Sequence, residues 1–235
     1  MFDFYNKKKI LITGGTGLIG YQLVKLLSKC NCKIKVVSLD DLKPIENDNV
    51  EYIKSDLRSL SNCLQLTNEI DIVFHLAGVK GSPYMAINQP NKFFVPTILF
   101  NTNMIFAANK NKVNNFLYTS SIGVYSPSDV FYEDSVWETF PSKNDKFAGW
   151  AKRMGELQIE ACQIEKSKTS FHIVRPANVF GPYDNFDEKN AMVIPSLISR
   201  ILKGENPLRV VGDGSNIRDF IFSKDVADIM TKVVC

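Results

Sequence analysis

The chain has 235 residues, 45% of them hydrophobic and 23% charged, enough for one large α/β domain with a substantial core. Its net charge of +3 comes from scattered lysines, and Lys7-Lys8-Lys9 reads as the solvated start of a strand, so nothing supports a nucleic-acid function. No apolar stretch has transmembrane length and no signal-peptide pattern opens the chain, so a cytoplasmic protein with no membrane partner is expected.

The first predicted strand, 9–13, runs into the turn Thr13-Gly-Gly-Thr-Gly-Leu-Ile-Gly20 and a helix over 18–30. Strand, glycine turn and amphipathic helix in this order form a dinucleotide phosphate site. Gly14 allows the tight turn, Gly17 lets backbone approach a pyrophosphate, and Gly20 lets helix pack on strand. The helix start offers free N–H groups to the phosphates. Cys30-Asn-Cys32 lacks zinc spacing. The odd cysteine number and only two histidines, His75 and His172, argue for reduced thiols and no metal site.

A second strand, 33–39, ends at Asp40, about 20 residues past the last glycine, where an acid binds ribose hydroxyls. A carboxylate there repels a 2′-phosphate and favours NAD over NADP; Asp41 is the alternative by one register. The strand 50–54 is followed by Asp56 and Leu57, placed to meet adenine, and then by a helix over 59–69. The strand 71–76 ends in Leu76-Ala77-Gly78, small enough for cofactor to pass close by. A helix over 92–111, a strand over 115–120, a polar loop over 126–146, a helix over 147–167 and a strand over 170–174 follow. The helices 92–111 and 147–167 carry apolar residues on more than one face, which suits either a core or a dimer interface.

After residue 176 four prolines break the alternation. A helix over 191–203, a strand over 208–211 and a helix over 224–234 are predicted there. The expected fold is α/β, a Rossmann-type doubly wound parallel sheet with a smaller C-terminal substrate lobe. Residues 1–176 form the NAD-binding domain. Residues 177–235 form the lobe, interleaved with the last sheet strand, and the helix ending in Val233-Val234-Cys235 reads as cut off.

Taken together these motifs resemble the extended short-chain dehydrogenase/reductase family, in particular its nucleotide-sugar epimerases, dehydratases and reductases. The resemblance rests on the glycine turn, Ser55-Asp56-Leu57, His75-Leu-Ala-Gly78, Thr119-Ser-Ser-Ile-Gly-Val-Tyr125, Lys152 with Glu156, Arg175-Pro-Ala-Asn-Val-Phe-Gly-Pro182 and Gly212-Asp-Gly-Ser-Asn-Ile-Arg-Asp-Phe220. It implies NAD as cofactor, a nucleotide-sugar substrate, and a homodimer. It extends the cofactor residues to Leu18, Ile19, Leu76, Lys152 and Pro176. The substrate residues it implies are Lys80, Ser121, Asn178, Met192, Val193 and Arg218.

The implied chemistry is hydride transfer from a sugar carbon, usually C4. Ser121 hydrogen-bonds the hydroxyl, and Lys152 holds the nicotinamide ribose and lowers the pKa of a tyrosine base. That tyrosine belongs four residues before the lysine, and this chain has Ala148 there. Tyr84, Tyr132, Tyr183, Lys152 or water are alternatives for the base, and a catalytically silent relative or an engineered active-site variant is the alternative reading. Gly123 stands where dehydratases keep an acid and GDP-fucose-synthase-like enzymes a cysteine. Met192 stands where the latter keep a histidine, although residues 181–195 otherwise resemble them. Loss of both removes proton exchange at C3 and C5 and leaves a 4-dehydrogenase or 4-epimerase, with a GDP-linked mannose-type hexose or heptose suggested.

Overall fold

Six parallel strands make the centre of the structure: β1 (Lys9–Thr13), β2 (Lys33–Ser38), β3 (Val50–Lys54), β4 (Ile72–His75), β5 (Asn115–Thr119) and β6 (Ser170–Val174). Their order is β3-β2-β1-β4-β5-β6. This computed structural model describes residues 2–79, 88–187, 191–210, 212–215 and 217–235. The chain direction of the order reverses between β1 and β4, so a crevice opens beyond their carboxyl ends. Ile10-Leu-Ile12 and Ile72-Val-Phe74 are fully or almost fully buried, as continuous apolar runs are when both sheet faces are covered.

The helices are α1 (Phe2–Tyr5), α2 (Leu18–Leu27), α3 (Leu60–Leu66), α4 (Asn91–Lys110), α5 (Lys146–Ile164), α6 (Val193–Leu202) and α7 (Ser223–Val234). On one face Leu23 and Leu27 of α2 and Val226 and Met230 of α7 pack with Ile10, Ile12 and Ile34. On the other, Leu66, Phe100, Met104 and Ile159 from α3, α4 and α5 pack with Leu11, Val73 and Phe116. The helix α7 comes from the stretch read as the lobe, yet it lies on the main sheet. There the Tyr5 hydroxyl of α1 donates to the Thr231 carbonyl at 2.6 Å.

The expected strand over 208–211 does not form across residues 208–210. The Arg209 N–H donates to Glu205 Oε1 at 3.1 Å and its carbonyl accepts from Arg200, so both backbone groups are already engaged. Instead β7 (Asn178–Phe180) and β8 (Phe220–Phe222) pair in parallel as a separate small sheet. Three residues are too few to show a period, so this pair and α1 went unread in the sequence. The polar segment before α5 contains single turns at Ile122–Val124 and Glu133–Trp137.

Contact at the glycine turn is tight. Gly14 has φ +69, open to glycine at no steric cost, and a Cβ on Gly20 would lie 2.2 Å from the Gly14 carbonyl oxygen. A Gly20→Ala substitution is therefore expected to destabilise the protein by at least about 2 kcal/mol. Gly78→Ala, whose Cβ would meet only the Leu76 oxygen at 4.0 Å, should shift stability by less than about 0.5 kcal/mol. Urea denaturation of the two variants measures both.

Candidate active site

At the carboxyl end of β1 the chain turns through Gly14–Gly17 into α2, whose N-cap Gly17 makes no side-chain capping bond. Apart from the Gly14 oxygen at 3.4 Å, nothing lies near the Cβ position of Gly17, so the turn leaves space against the first N–H groups of α2. Leu18 and Ile19 open that helix. At the end of β2 the Asp40 carboxylate accepts hydrogen bonds from Thr16 Oγ1 at 2.8 Å and the Leu42 N–H at 3.0 Å. Asp41 instead pairs with Lys54 at 2.6 Å. Of the two registers left open by the sequence, Asp40 is the one beside the glycine turn. Helix N–H groups, room for phosphate and an adjacent acid that disfavours a 2′-phosphate all fit a dinucleotide of the NAD type.

Other expected cofactor residues are spread around this crevice. Leu76, Ala77 and Gly78 follow β4, and the Ala77 N–H donates to Thr13 Oγ1 at 3.1 Å. The Pro176 carbonyl accepts from the Ile122 N–H at 3.0 Å, which brings the turn after β6 to the turn after β5. Asp56 is clamped by Arg58, whose Nε donates to both of its oxygens and whose Nη2 donates to Oδ2, which holds its pKa down. The Leu57 side chain is buried in the core cluster against which Ala77 also packs.

A chain of hydrogen bonds runs beneath this surface. His75 is fully buried, with Nδ1 2.8 Å from Thr13 Oγ1 and Nε2 2.9 Å from Asn101 Oδ1. Asn101 Nδ2 donates to the Tyr118 hydroxyl at 2.9 Å, which donates to the Lys152 carbonyl at 3.2 Å. Each donor finds an acceptor only if Nε2 carries the histidine proton and Nδ1 accepts from Thr13. Burial, with the nearby Lys152 charge, lowers the His75 pKa to about 3 and keeps the ring neutral.

The ammonium of the same residue, Lys152, donates to the Thr119 carbonyl at 2.7 Å. Desolvation lowers its pKa to about 8, partly opposed by the carboxylate of Glu156 on the next turn. Glu156 is itself held by Arg175 at 2.8 Å, and Arg175 also donates to the Tyr125 hydroxyl at 3.1 Å. Tyr125 is thus a partner of this buried ion pair. Ser121 Oγ accepts from the Gly123 N–H at 3.1 Å, and Ala148 is exposed on α5 between Ser121 and Lys152 in the sequence.

The substrate residues separate into two groups. Pairing of β7 with β8 brings Asn178 to Asp219, whose carbonyl accepts from Asn178 Nδ2 at 2.9 Å, and so places Asn178 next to the Arg218 segment. Arg218 is exposed and donates to the Ile217 carbonyl. Met192 and Val193 start α6 and are 54% and 58% exposed, so neither serves as core. Tyr132 is exposed, and Tyr183 stacks on Tyr21 of α2 with ring centroids 3.8 Å apart. Lys80 and Tyr84 lie outside the described residues.

Residues 10–234 match the NAD dependent epimerase/dehydratase family. The chain belongs to this family. It is similar to a GDP-L-colitose synthase of Yersinia pseudotuberculosis, 27% identical over 231 residues, with 94% of this chain and 70% of the relative covered. It is similar to a GDP-L-fucose synthase of Azorhizobium caulinodans, 27% identical over 97% of this chain and 71% of the relative. Among solved structures it resembles a UDP-N-acetylglucosamine 4-epimerase from Methanobrevibacter ruminantium in complex with UDP-N-acetylmuramic acid. The TM-score is 0.85 at 27% identity, covering 97% of this chain and 73% of that one. The chain is therefore an α/β enzyme of the NAD-dependent nucleotide-sugar epimerase/dehydratase kind. Among the described residues no helix is long and apolar enough to cross a membrane.

In this epimerase/dehydratase chain the neutral, buried His75 makes stability depend on pH. Its folded pKa is about 3 against an ordinary 6.5, so below pH 6.5 the unfolded chain binds a proton the folded one does not. Stability should fall by about 1.4 kcal/mol per pH unit on acidification below 6.5, with His172, also lowered by burial, acting in the same direction. Urea titrations between pH 7 and 5 measure the slope; a flat profile would contradict a neutral His75 beneath the site.

Proposed function

We propose that the protein is an NAD-dependent oxidoreductase that acts on a nucleotide-diphosphate sugar at C4, as a 4-dehydrogenase or 4-epimerase. Bound NAD supplies the hydride acceptor. In this reading Gly14, Gly17, Gly20 and the start of α2 hold its pyrophosphate, Asp40 its adenosine ribose, and Lys152 its nicotinamide ribose. Residues 1–176 serve the cofactor and the part of 177–235 ahead of α7 the sugar nucleotide, with Asn178 and Arg218 on its phosphates. Arginine suits that task because its planar fork binds phosphate through two bonds.

One observation carries the choice of reaction. The lysine and serine of the hydride site are present, whereas Gly123 and Met192 occupy the positions where the likeness to other family members expects groups that exchange protons at C3 and C5. Glycine and methionine titrate nothing, so elimination and C3/C5 epimerisation have no acid or base there. A GDP-linked hexose or heptose of the mannose type is the favoured substrate, on the likeness of residues 181–195 to GDP-fucose synthase. Two copies would pair through α4 and α5, whose Leu99, Phe106, Leu157 and Ile164 are exposed.

Ala148 favours a second reading, a silent relative that binds NAD and senses or scaffolds. The two separate in one experiment. With NAD and a panel of GDP- and UDP-sugars in deuterated buffer, proton NMR should show a C4 epimer or 4-keto sugar with no deuterium at C3 or C5. Deuterium at either carbon would overturn the assigned reaction. No turnover by the chain, with turnover by its Ala148→Tyr variant, would favour the silent relative.

Replacing Arg218 tests the substrate half of the site. Arg218→Ala should raise KM for the sugar nucleotide by about 10-fold or more with the NAD affinity unchanged, the cost of about 1.4 kcal/mol or more expected when one charge-assisted bond to phosphate is lost. An unchanged KM would remove Arg218 from the site.

A further inference from the structure

The absence of a phenol at Ala148 leaves the oxidised hydroxyl without its usual proton acceptor, and the packing of α5 puts another group in the same corner. A Cβ on Gly149 would lie 2.4 Å from the Gly123 carbonyl oxygen, so the first turn of α5 presses directly on the turn that follows Ser121. This contact carries Asp145, the N-cap of α5, to the same place. Its Cβ and Cγ lie 3.5 and 3.6 Å from the Cβ position of Gly123, and Ser121 Oγ lies 3.5 Å from that same point. Carboxylate and serine hydroxyl thus border one small space that Gly123 leaves empty. Asp145 precedes Ala148 by three residues, so the two share a face at the start of the helix.

The carboxylate is exposed and half engaged. Oδ2 accepts from Ser142 Oγ at 2.8 Å, and the Asp145 N–H donates back to Ser142 Oγ at 3.1 Å. Oδ1 accepts no hydrogen bond among the described residues. Of the nearby groups, the Lys152 ammonium donates to the Thr119 carbonyl and is assigned above to the nicotinamide ribose, and the Tyr125 hydroxyl accepts from Arg175.

We propose that Asp145 is the proton acceptor for the sugar hydroxyl oxidised at this site. This rests on the hydride-transfer reading above. As the C4–H bond breaks and its hydride passes to NAD, the hydroxyl O–H bond breaks, its proton joins Asp145 Oδ1, and C4 becomes a carbonyl carbon. The exposed carboxylic acid then gives the proton to water, or back to the oxygen when the hydride returns. An ionised carboxylate only accepts hydrogen bonds, as this role requires. Sequence spacing did not point to Asp145, because the position lies outside the family's motif and only the glycine contact brings it in.

Asp145 is also the N-cap residue of α5, where its carboxylate makes no capping bond to the helix but accepts from Ser142, so the test must separate a catalytic role from a local structural one. The full chain, its Asp145→Asn and Ser142→Ala variants, and Asp145→Ala with and without formate are compared. The substrate is the sugar nucleotide turned over in the deuterated-buffer panel of GDP- and UDP-sugars. Asparagine keeps an oxygen for Ser142, so Asp145→Asn should retain Tm, NAD affinity and KM while kcat falls by about 10²- to 10⁴-fold. Formate should restore turnover to Asp145→Ala. Ser142→Ala should lower Tm more than kcat. Unchanged kcat in Asp145→Asn would overturn the proposal while leaving the hydride reading intact. So would parallel losses of Tm and kcat in all three variants without formate rescue, which would make Asp145 a structural residue. If the unaltered chain turns over none of the sugars, the hydride reading fails and the proposal falls with it.

Discussion

The buried hydrogen-bond chain from Thr13 through His75, Asn101 and Tyr118 to the Lys152 carbonyl is the constraint on which the site depends. It joins β1, β4, α4, β5 and α5 through polar groups that are almost wholly excluded from water. In such surroundings an unmade bond costs more than a made one contributes, so the five elements have one satisfied arrangement. Arrangement here means height as much as direction. The chain ends on a backbone carbonyl of α5, which sets how far that helix stands above the carboxyl edge of the sheet. Lys152 is then held at the carboxyl end of β5, where its ammonium meets the Thr119 carbonyl.

A second constraint holds the charge at that edge. Lys152, Arg153 and Arg175 cluster around the single carboxylate of Glu156, three cations to one anion in a poorly solvated region. Arg153 answers by donating to the carbonyls of Val124 and Thr139 and by lying over the rings of Trp137 and Trp150. Arg175 takes the ion pair itself, and the partnership with Glu156 and Tyr125 raises its pKa. Lys152 is left with one carbonyl partner, and its pKa comes down. The amine is the least satisfied cation of the group, which suits a residue whose remaining bonds belong to a ligand.

Much of this was legible in the sequence because its signals are local. The glycine turn, the apolar runs of β1 and β4 and the acid at the end of β2 each need only a short window, and a parallel sheet follows from alternation with helices. Other parts depend on partners far away in the chain. Asp40 was separated from Asp41 only by the Thr16 hydroxyl and by Lys54. The strand expected near residue 209 failed because side chains at Arg200 and Glu205 took its backbone groups. The pairing of β7 with β8, which sets Asn178 beside Arg218, joins two three-residue pieces about 40 residues apart. Asp145 came into view only through the Gly123–Gly149 contact, which no spacing rule encodes.

On the proposed reading the site moves a hydride at C4 with Ser121 and Lys152, without a phenol at Ala148 and without titratable groups at Gly123 and Met192. The most direct test of that claim follows the hydrogen itself. A panel of GDP- and UDP-hexoses deuterated at C4 is incubated with the protein and NAD, and the nicotinamide is analysed by mass spectrometry. The account predicts deuterium carried from C4 of one sugar into the reduced cofactor, or recovered at C4 after inversion without exchange with solvent. No transfer of label from C4 of any sugar, under conditions where NAD is bound, would contradict it.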